Sequence, residues 1–388
     1  MIYLYPSVIK QNKKRLFLFS IIAIVLVLAV LEIIFRIIFA VQYGGYHTSV
    51  YVQGNTLQVS DSLLVFKNRP FYLDYHKRYQ FNQEGMRVNA GDVLMPKKGP
   101  NDYWVFLFGG SAMEGAGSNK DGEWLDITGV EDHTPDKTIA HYLQEYLQQH
   151  MPAKKVTVFN AANSGYSILQ SMRRYEELSA KYKIDYVVSM DGENEPAKLE
   201  PGQTVEAFIR KRWDSSALFK FPLNVIVPLT SHSAFLNKIK QLNFHVRHEK
   251  RMKNNIEQGF PARLKWLKAI SVPLKYNDSI IGPAIDSFYK EFRAFDSLLK
   301  SKGQPHKLYV QPHLTLRDPL TERERELLNY YTVNYNDPYQ NSFKRKLRTL
   351  FPQNNIDAKE FVDYCHFTEE TNKYIAHTIG AEILNNHP

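Results

Sequence analysis

Near its N-terminus the chain carries a block with no polar face. Leu16 to Leu31 is apolar except for Ser20, and Ile33 to Val41 is broken only by Arg36. A core helix of a globular domain keeps one polar side. A bilayer core needs about 20 apolar helical residues, so Leu16 to Val41 is predicted to span a membrane. Glu32 and Arg36 are four apart, the spacing at which helical side chains pair. Lys10, Lys13, Lys14 and Arg15 precede the block. That basic flank places the N-terminus in the cytoplasm and predicts an exported bulk of the chain, periplasmic or extracellular. A cleaved signal peptide would end in a small-x-small site. Phe39-Ala40-Val41-Gln42 is a poor one, and an anchor is expected.

The stretch from Tyr43 to Asn101 is mixed and turn-rich, after which the pattern becomes regular. Tyr103 to Phe108 is a short apolar run closed by Gly109-Gly110, the form of a buried strand and a tight turn. Lys137 to Gln149 has helical spacing, with Ile139, Leu143, Tyr146 and Leu147 on one side. Lys155 to Phe159 reads as a strand, Leu169 to Tyr182 as a helix and Ile184 to Met190 as a third strand. Alternating strands and helices predict an α/β fold with a parallel sheet covered on both faces. Pro196 to about Pro273 breaks the rhythm and reads as a basic, aromatic insertion bordering the cleft. Ile280 to Lys302 then reads as a long amphipathic helix ended by Gly303, and Lys307 to Gln311 as a strand stopped by Pro312. Thr321 and Glu324 form a capping-box pattern opening a helix to Tyr331. A last helix runs from near Thr368 to Leu384.

Charge and composition narrow the picture. The formal net charge is +9. Its excess lies between Arg210 and Lys268 and includes Arg210-Lys211-Arg212 and Lys250-Arg251. With no recognisable nucleic-acid module, the basic stretch is a solvated or membrane-facing surface, or favours an anionic lipid or polymer. Cys365 is the only cysteine, so no intrachain disulfide exists. The 13 histidines include no His-Glu-x-x-His pattern, and neither metal nor cofactor is expected.

Ligands of an open parallel sheet sit at the carboxyl ends of its strands. The loop after the first strand is Gly109-Gly110-Ser111-Ala112-Met113-Glu114-Gly115. Asn163-Ser164-Gly165 follows the second strand, and Gly192-Glu193-Asn194-Glu195 the third. Near the C-terminus stands Asp363-Tyr364-Cys365-His366. Each alone reads as a turn or a polar loop. Glu114, Glu193 and Glu195 are candidates for paired acids, but read better as contacts on the cleft rim. His313 lines the cleft or sits on a surface loop. Cys365 reads as a packed small residue.

Taken in order, the four blocks resemble the SGNH (GDSL-like) hydrolase superfamily. Asn82-Gln83-Glu84-Gly85-Met86-Arg87 is similar to a stretch often found upstream of that family's serine. Tyr309-Val310-Gln311-Pro312 is similar to the strand before its final block. The resemblance covers roughly Asp61 to Leu384 apart from the insertion. Gly109-Gly110-Ser111 departs from the name-giving Gly-Asp-Ser, although the missing Asp is not one of the reacting residues. The resemblance implies a three-layer αβα, flavodoxin-like sheet. It also implies a catalytic triad of Ser111, Asp363 and His366, and an oxyanion hole made by the Ser111 N–H, the Gly165 N–H and the Asn194 amide.

The organisation expected is a cytoplasmic tail (1–15), an anchor (16–41), an extension packed on the core (42–101) and a hydrolase domain (102–388) with an insertion at about 196–273. The function expected is a membrane-anchored serine esterase acting on an O-acylated envelope glycan or a lipid. An acyltransferase would use the same triad, and a non-catalytic envelope protein could reuse the fold. The partners expected are the bilayer and an ester-bearing substrate, and no nucleic acid.

Overall fold

The computed structural model describes residues 6–43, 47–49, 58–74, 80–88, 95–116, 134–196, 202–214, 278–322 and 338–386. It also describes Leu199, Ser233, Phe235, Leu236, Lys238, Ile239, Glu324 and Arg325. The helix α1 (Pro6–Tyr43) contains the apolar block. Within it Arg15–Ile38, 24 residues of mean hydropathy 3.1, contains no fully buried residue. At 1.5 Å per residue that segment is about 36 Å long, against about 30 Å of bilayer hydrocarbon. It is long and apolar enough to be a membrane span or a signal sequence. Arg36 Nε lies 2.8 Å from Glu32 Oε1, the pair that the spacing predicts.

Beyond α1 come four short strands: β1 (His47–Ser49), β2 (Gln58–Asp61), β3 (Val65–Asn68) and β4 (Tyr72–Asp74). β2 and β3 form an antiparallel hairpin, and β1 pairs with β4. The central sheet is built from β5 (Asp102–Gly109), β6 (Lys155–Asn160), β7 (Tyr186–Asp191) and β8 (His306–Val310). Its order is β6-β5-β7-β8 and every pairing is parallel. A parallel bridge from Val310 to Asn355 continues it at the β8 edge. Numbered within the sheet this is 2-1-3-4, the start of the flavodoxin-like order, whose switch point lies between strands 1 and 3.

Period-two alternation along β5 builds the layers. Tyr103, Val105 and Leu107 face one core, with Ile139, Leu143 and Leu147 of α3 (Ile139–His150). The same core takes Ile375, Ile379 and Ile383 of α8 (Glu369–Asn385). Trp104, Phe106 and Phe108 face the other core. There they meet Ile168, Tyr175 and Leu178 of α4 (Ile168–Ser179), Phe288 and Phe295 of α6 (Asp278–Ser301), and Phe343 and Leu347 of α7 (Pro338–Leu350). Aromatic residues on both strand faces explain the unbroken apolar run of the sequence.

Thr368 caps α8 by accepting from Thr371 N. The predicted capping box is present: Glu324 Oε2 accepts from Thr321 N at 2.9 Å, and Thr321 Oγ1 from Glu324 N at 3.1 Å. The rest of the helix expected to reach Tyr331 lies outside the described residues. So does most of the insertion, including Lys250-Arg251. Its start forms α5 (Val205–Asp214), where Trp213 stacks on Phe66 of β3 at 4.7 Å. Further along, Ser233 Oγ donates to Glu32 of α1 at 2.7 Å, and the Phe235 ring lies 5.7 Å from Phe35.

Candidate active site

The chain turns sharply out of β5. Gly109 has φ +142°, and a Cβ there would lie 2.4 Å from Met190 O. A Cβ on Gly110 would lie 2.6 Å from the Asn194 amide nitrogen. Gly109, facing backbone at positive φ, therefore excludes a side chain, whereas one at Gly110 would have to displace the Asn194 amide. The turn starts the short helix α2 (Ser111–Glu114), with Ser111 first.

The loop before α8 delivers the partners. Asp363 Oδ1 accepts from Cys365 N at 2.8 Å and His366 N at 2.7 Å, an Asx-type turn that folds the loop on itself. Val362 N donates to His366 O at 3.0 Å, and Gln311 Nε2 to Cys365 O at 3.0 Å. Leu314 N donates to Tyr364 O at 2.9 Å, so the segment leaving β8 clamps the loop. His366 Nδ1 is 2.6 Å from Asp363 Oδ2, and Nε2 is 2.8 Å from Ser111 Oγ. Ser111 is thus joined to an imidazole 255 residues further along the chain. Burial pushes the Asp363 carboxyl up, but the His366 ring and the two backbone donors outweigh it and hold the group below its usual range. An ionised Asp363 keeps the ring proton on Nδ1 and leaves the Nε2 lone pair for the Ser111 hydroxyl.

Asn194 lies against the turn that precedes the serine, and Gly165 is on the adjoining loop. Asn194 Nδ2 packs on Gly110 and donates to Tyr166 O at 3.1 Å, which leaves its second N–H for another acceptor. Gly165 has φ +89° and lies against the Phe66 ring. The Ser111 N–H, at the first helical position, has no intrahelical acceptor. Of the five site residues that the sequence resemblance implies, Ser111, His366 and Asp363 are hydrogen-bonded in series. Gly110 and Asn194 touch beside them, with Gly165 on the adjoining loop.

Three readings are corrected. Glu114 and Glu195 are not rim contacts: they are 2% and 3% exposed. Donors gathered from distant segments draw them inside. Asn68 Nδ2 reaches Glu114 Oε1 at 2.6 Å, and Ile168 N reaches Glu195 Oε1 at 2.7 Å. His313 is buried rather than on a surface loop. Its Nδ1 is 2.7 Å from Thr315 Oγ1, and burial pushes its pKa down to about 4.

Two basic residues fasten the site from outside it, and of these Lys344 carried no signal in the sequence. Lys344 of α7 is buried, donates to Gly192 O and, at 2.8 Å, to Glu193 O, and lies 2.9 Å from the Glu193 carboxylate. It fastens the Asn194 loop from beneath. Arg87 Nη1 donates to Glu114 O at 2.7 Å, and Arg87 N to Asn160 O at 2.9 Å, which ties the upstream stretch to α2.

Among the described residues, Asp363, Cys365 and His366 form a group spaced closely enough to hold a metal ion. The donor set is ill suited to one. Burial and the charges of Asp363 and Glu193 push the Cys365 thiol well above its ordinary value, so it is a neutral thiol rather than a thiolate ligand. Asp363 is already engaged by three donors.

No protein-family model matches the chain, and no curated protein matches it. Solved structures similar to it include an acetylxylan esterase from Geobacillus stearothermophilus, at 13% identity and TM-score 0.32, covering 72% of this chain and 94% of that one. A lipase/acylhydrolase from Enterococcus faecalis matches at 13% identity and TM-score 0.31, covering 73% of this chain and 96% of that one. An α/β hydrolase from the metagenome of Lake Arreo, Spain, matches at 12% and 0.32, covering 73% and 97%. Likeness at this level assigns no chemistry to the chain. Its chemistry rests on the side chains described above.

Proposed function

We propose that this chain is a serine ester hydrolase of the SGNH type, anchored in a membrane by α1. The observation that carries this reading is the imidazole of His366 held between Asp363 Oδ2 at 2.6 Å and Ser111 Oγ at 2.8 Å. A serine hydroxyl is a weak nucleophile until a base takes its proton. Here Ser111 Oγ attacks the acyl carbon while His366 Nε2 accepts the proton, and Asp363 stabilises the imidazolium. Charge gathers on the former carbonyl oxygen, which the Ser111 N–H, Gly165 N–H and Asn194 amide receive. Collapse expels the alcohol with the proton from His366 and leaves an acyl-serine. Water repeats the sequence, and the acid departs.

In this reading residues 1–15 form a cytoplasmic tail, 16–41 the anchor, and 102–388 the hydrolase domain with its insertion at about 196–273. The substrate class that fits an exported, anchored esterase is an O-acylated envelope glycan or a lipid. The test is hydrolysis of p-nitrophenyl acetate by the detergent-solubilised full-length protein. Wild type is expected to turn over and Ser111→Ala to fall to background while remaining folded and in the membrane fraction. Undiminished turnover by Ser111→Ala would overturn the reading.

A further inference from the structure

Glu114 and Glu195 are buried acids that the reaction scheme does not use. We propose that they are positioning residues which clip the Gly165 loop from opposite sides, so that the three oxyanion donors act as one site; this rests on the triad reading above.

Glu114 stands at the end of the helix that Ser111 begins. Its Oε2 accepts from Ser164 N at 2.8 Å and from the Ser164 hydroxyl, and its Oε1 from Asn68 Nδ2 at 2.6 Å. Its own backbone is held in turn: Glu114 O accepts from Arg87 Nη1 at 2.7 Å and from Asn160 Nδ2 at 3.3 Å. Glu195 directly follows Asn194, and its Oε1 accepts from Ile168 N at 2.7 Å. Ser164 immediately precedes Gly165, and Ile168 opens the helix that follows it. The loops bearing Ser111 and Asn194 therefore each send one carboxyl group to the loop between them.

These bonds act on the orientation of a donor. Peptide groups are planar, so an N–H points where its plane is held. Glu114 fixes the plane that ends in the Ser164 N–H. The next plane carries Ser164 O at one end and the Gly165 N–H at the other. Gln58 Nε2 donates to that oxygen at 2.7 Å. Glu195 fixes the far end of the loop, and Asn194 Nδ2 donates to Tyr166 O within it at 3.1 Å. An oxyanion donor works only when aimed at the place where charge develops.

The two carboxyls differ in what they accept, and the difference makes the idea testable. Glu114 is surrounded by donors, so Glu114→Gln turns an amide NH2 against one of them. Glu195 receives one N–H, and its Oε2 is buried with no hydrogen-bond partner. Burial and the nearby Asp191 charge push its pKa up to about 8. A neutral amide of the same shape therefore keeps what Glu195 does at neutral pH.

The experiment measures kcat and KM on p-nitrophenyl acetate, the rate of fluorophosphonate labelling and the thermal unfolding midpoint. It uses the detergent-solubilised full-length protein, with Ser111→Ala alongside. For Glu195→Ala and Glu114→Gln, kcat and labelling rate are expected to fall roughly 10- to 100-fold, less than the about 10²–10³ for deleting a donor outright, with KM within about threefold. Glu195→Gln restores what Glu195→Ala loses. Folded Glu195→Ala and Glu114→Gln proteins with wild-type kcat, beside an inactive Ser111→Ala, would overturn the clip and leave the triad standing. An active Ser111→Ala would remove the reading on which the clip rests. If Glu195→Ala does not fold, the two glutamine variants decide: equal kcat in both contradicts the proposal.

Discussion

Replacing Asp363 by Asn changes one atom and, on this geometry, reverses one hydrogen bond. Asp363 Oδ1 takes the Cys365 and His366 N–H groups at 2.8 and 2.7 Å, and Oδ2 faces His366 Nδ1 at 2.6 Å. Asn keeps its carbonyl oxygen on the two backbone donors and turns its NH2 toward Nδ1. Nδ1 must then accept, so the ring proton moves to Nε2, which faces Ser111 Oγ at 2.8 Å. Nε2 can no longer take the serine proton. A wrong-tautomer imidazole costs about 10⁴ in kcat, or about 5 kcal/mol of transition-state stabilisation. The turn keeps both of its backbone acceptors, so the unfolding midpoint should move little. Asp363→Ala strips them, and each orphaned N–H costs about 1–3 kcal/mol of stability. The assay is kcat on p-nitrophenyl acetate with thermal unfolding run in parallel. An Asn variant within tenfold of wild type would refute the assigned role of Asp363.

Asn194→Ala should lower kcat by about 10²–10³ with KM little changed, because its second N–H is needed only once the oxyanion forms; a purely KM effect in steady-state kinetics would argue against it. Glu195 is raised to about 8 and neighbouring Asp191 to about 6, both by burial first. A carboxyl raised on folding favours the native state below its unfolded pKa and loses that contribution as pH rises through the folded value. Relative to Glu195→Gln, the wild-type unfolding midpoint should therefore fall between about pH 4 and pH 8 and level off above that; parallel curves would count against the burial of a neutral acid. A reporter fused after Pro388 should be active only outside the cytoplasm, since Lys10, Lys13, Lys14 and Arg15 precede the span. Cytoplasmic reporter activity would reverse the topology.

Much of the sheet could be read from the chain because buried parallel strands leave a local mark. Tyr103 to Phe108 is apolar at every position, since both faces are covered, and the glycines after it must make the turn to Ser111. The triad was legible only as an ordered set of blocks, for Asp363 and His366 are local neighbours while Ser111 is 255 residues away from His366. The buried carboxyls were not legible. Glu114 meets Asn68 across 46 residues and Ser164 across 50, and nothing near Glu114 in the sequence says that those donors will surround it. Lys344 is a further case. Its helix α7 is not among the elements predicted from the sequence, and its ammonium turns inward to carbonyls 151 and 152 residues earlier. A polar side chain goes inside when partners await it, and partners brought by the fold leave no period in the sequence.

The most direct measurement is fluorophosphonate labelling of the full-length protein, followed by mapping of the modified peptide by mass spectrometry. The account predicts a single adduct on Ser111, absent from Ser111→Ala and formed far more slowly in His366→Ala. An adduct on another serine, or undiminished labelling of Ser111→Ala, would contradict it.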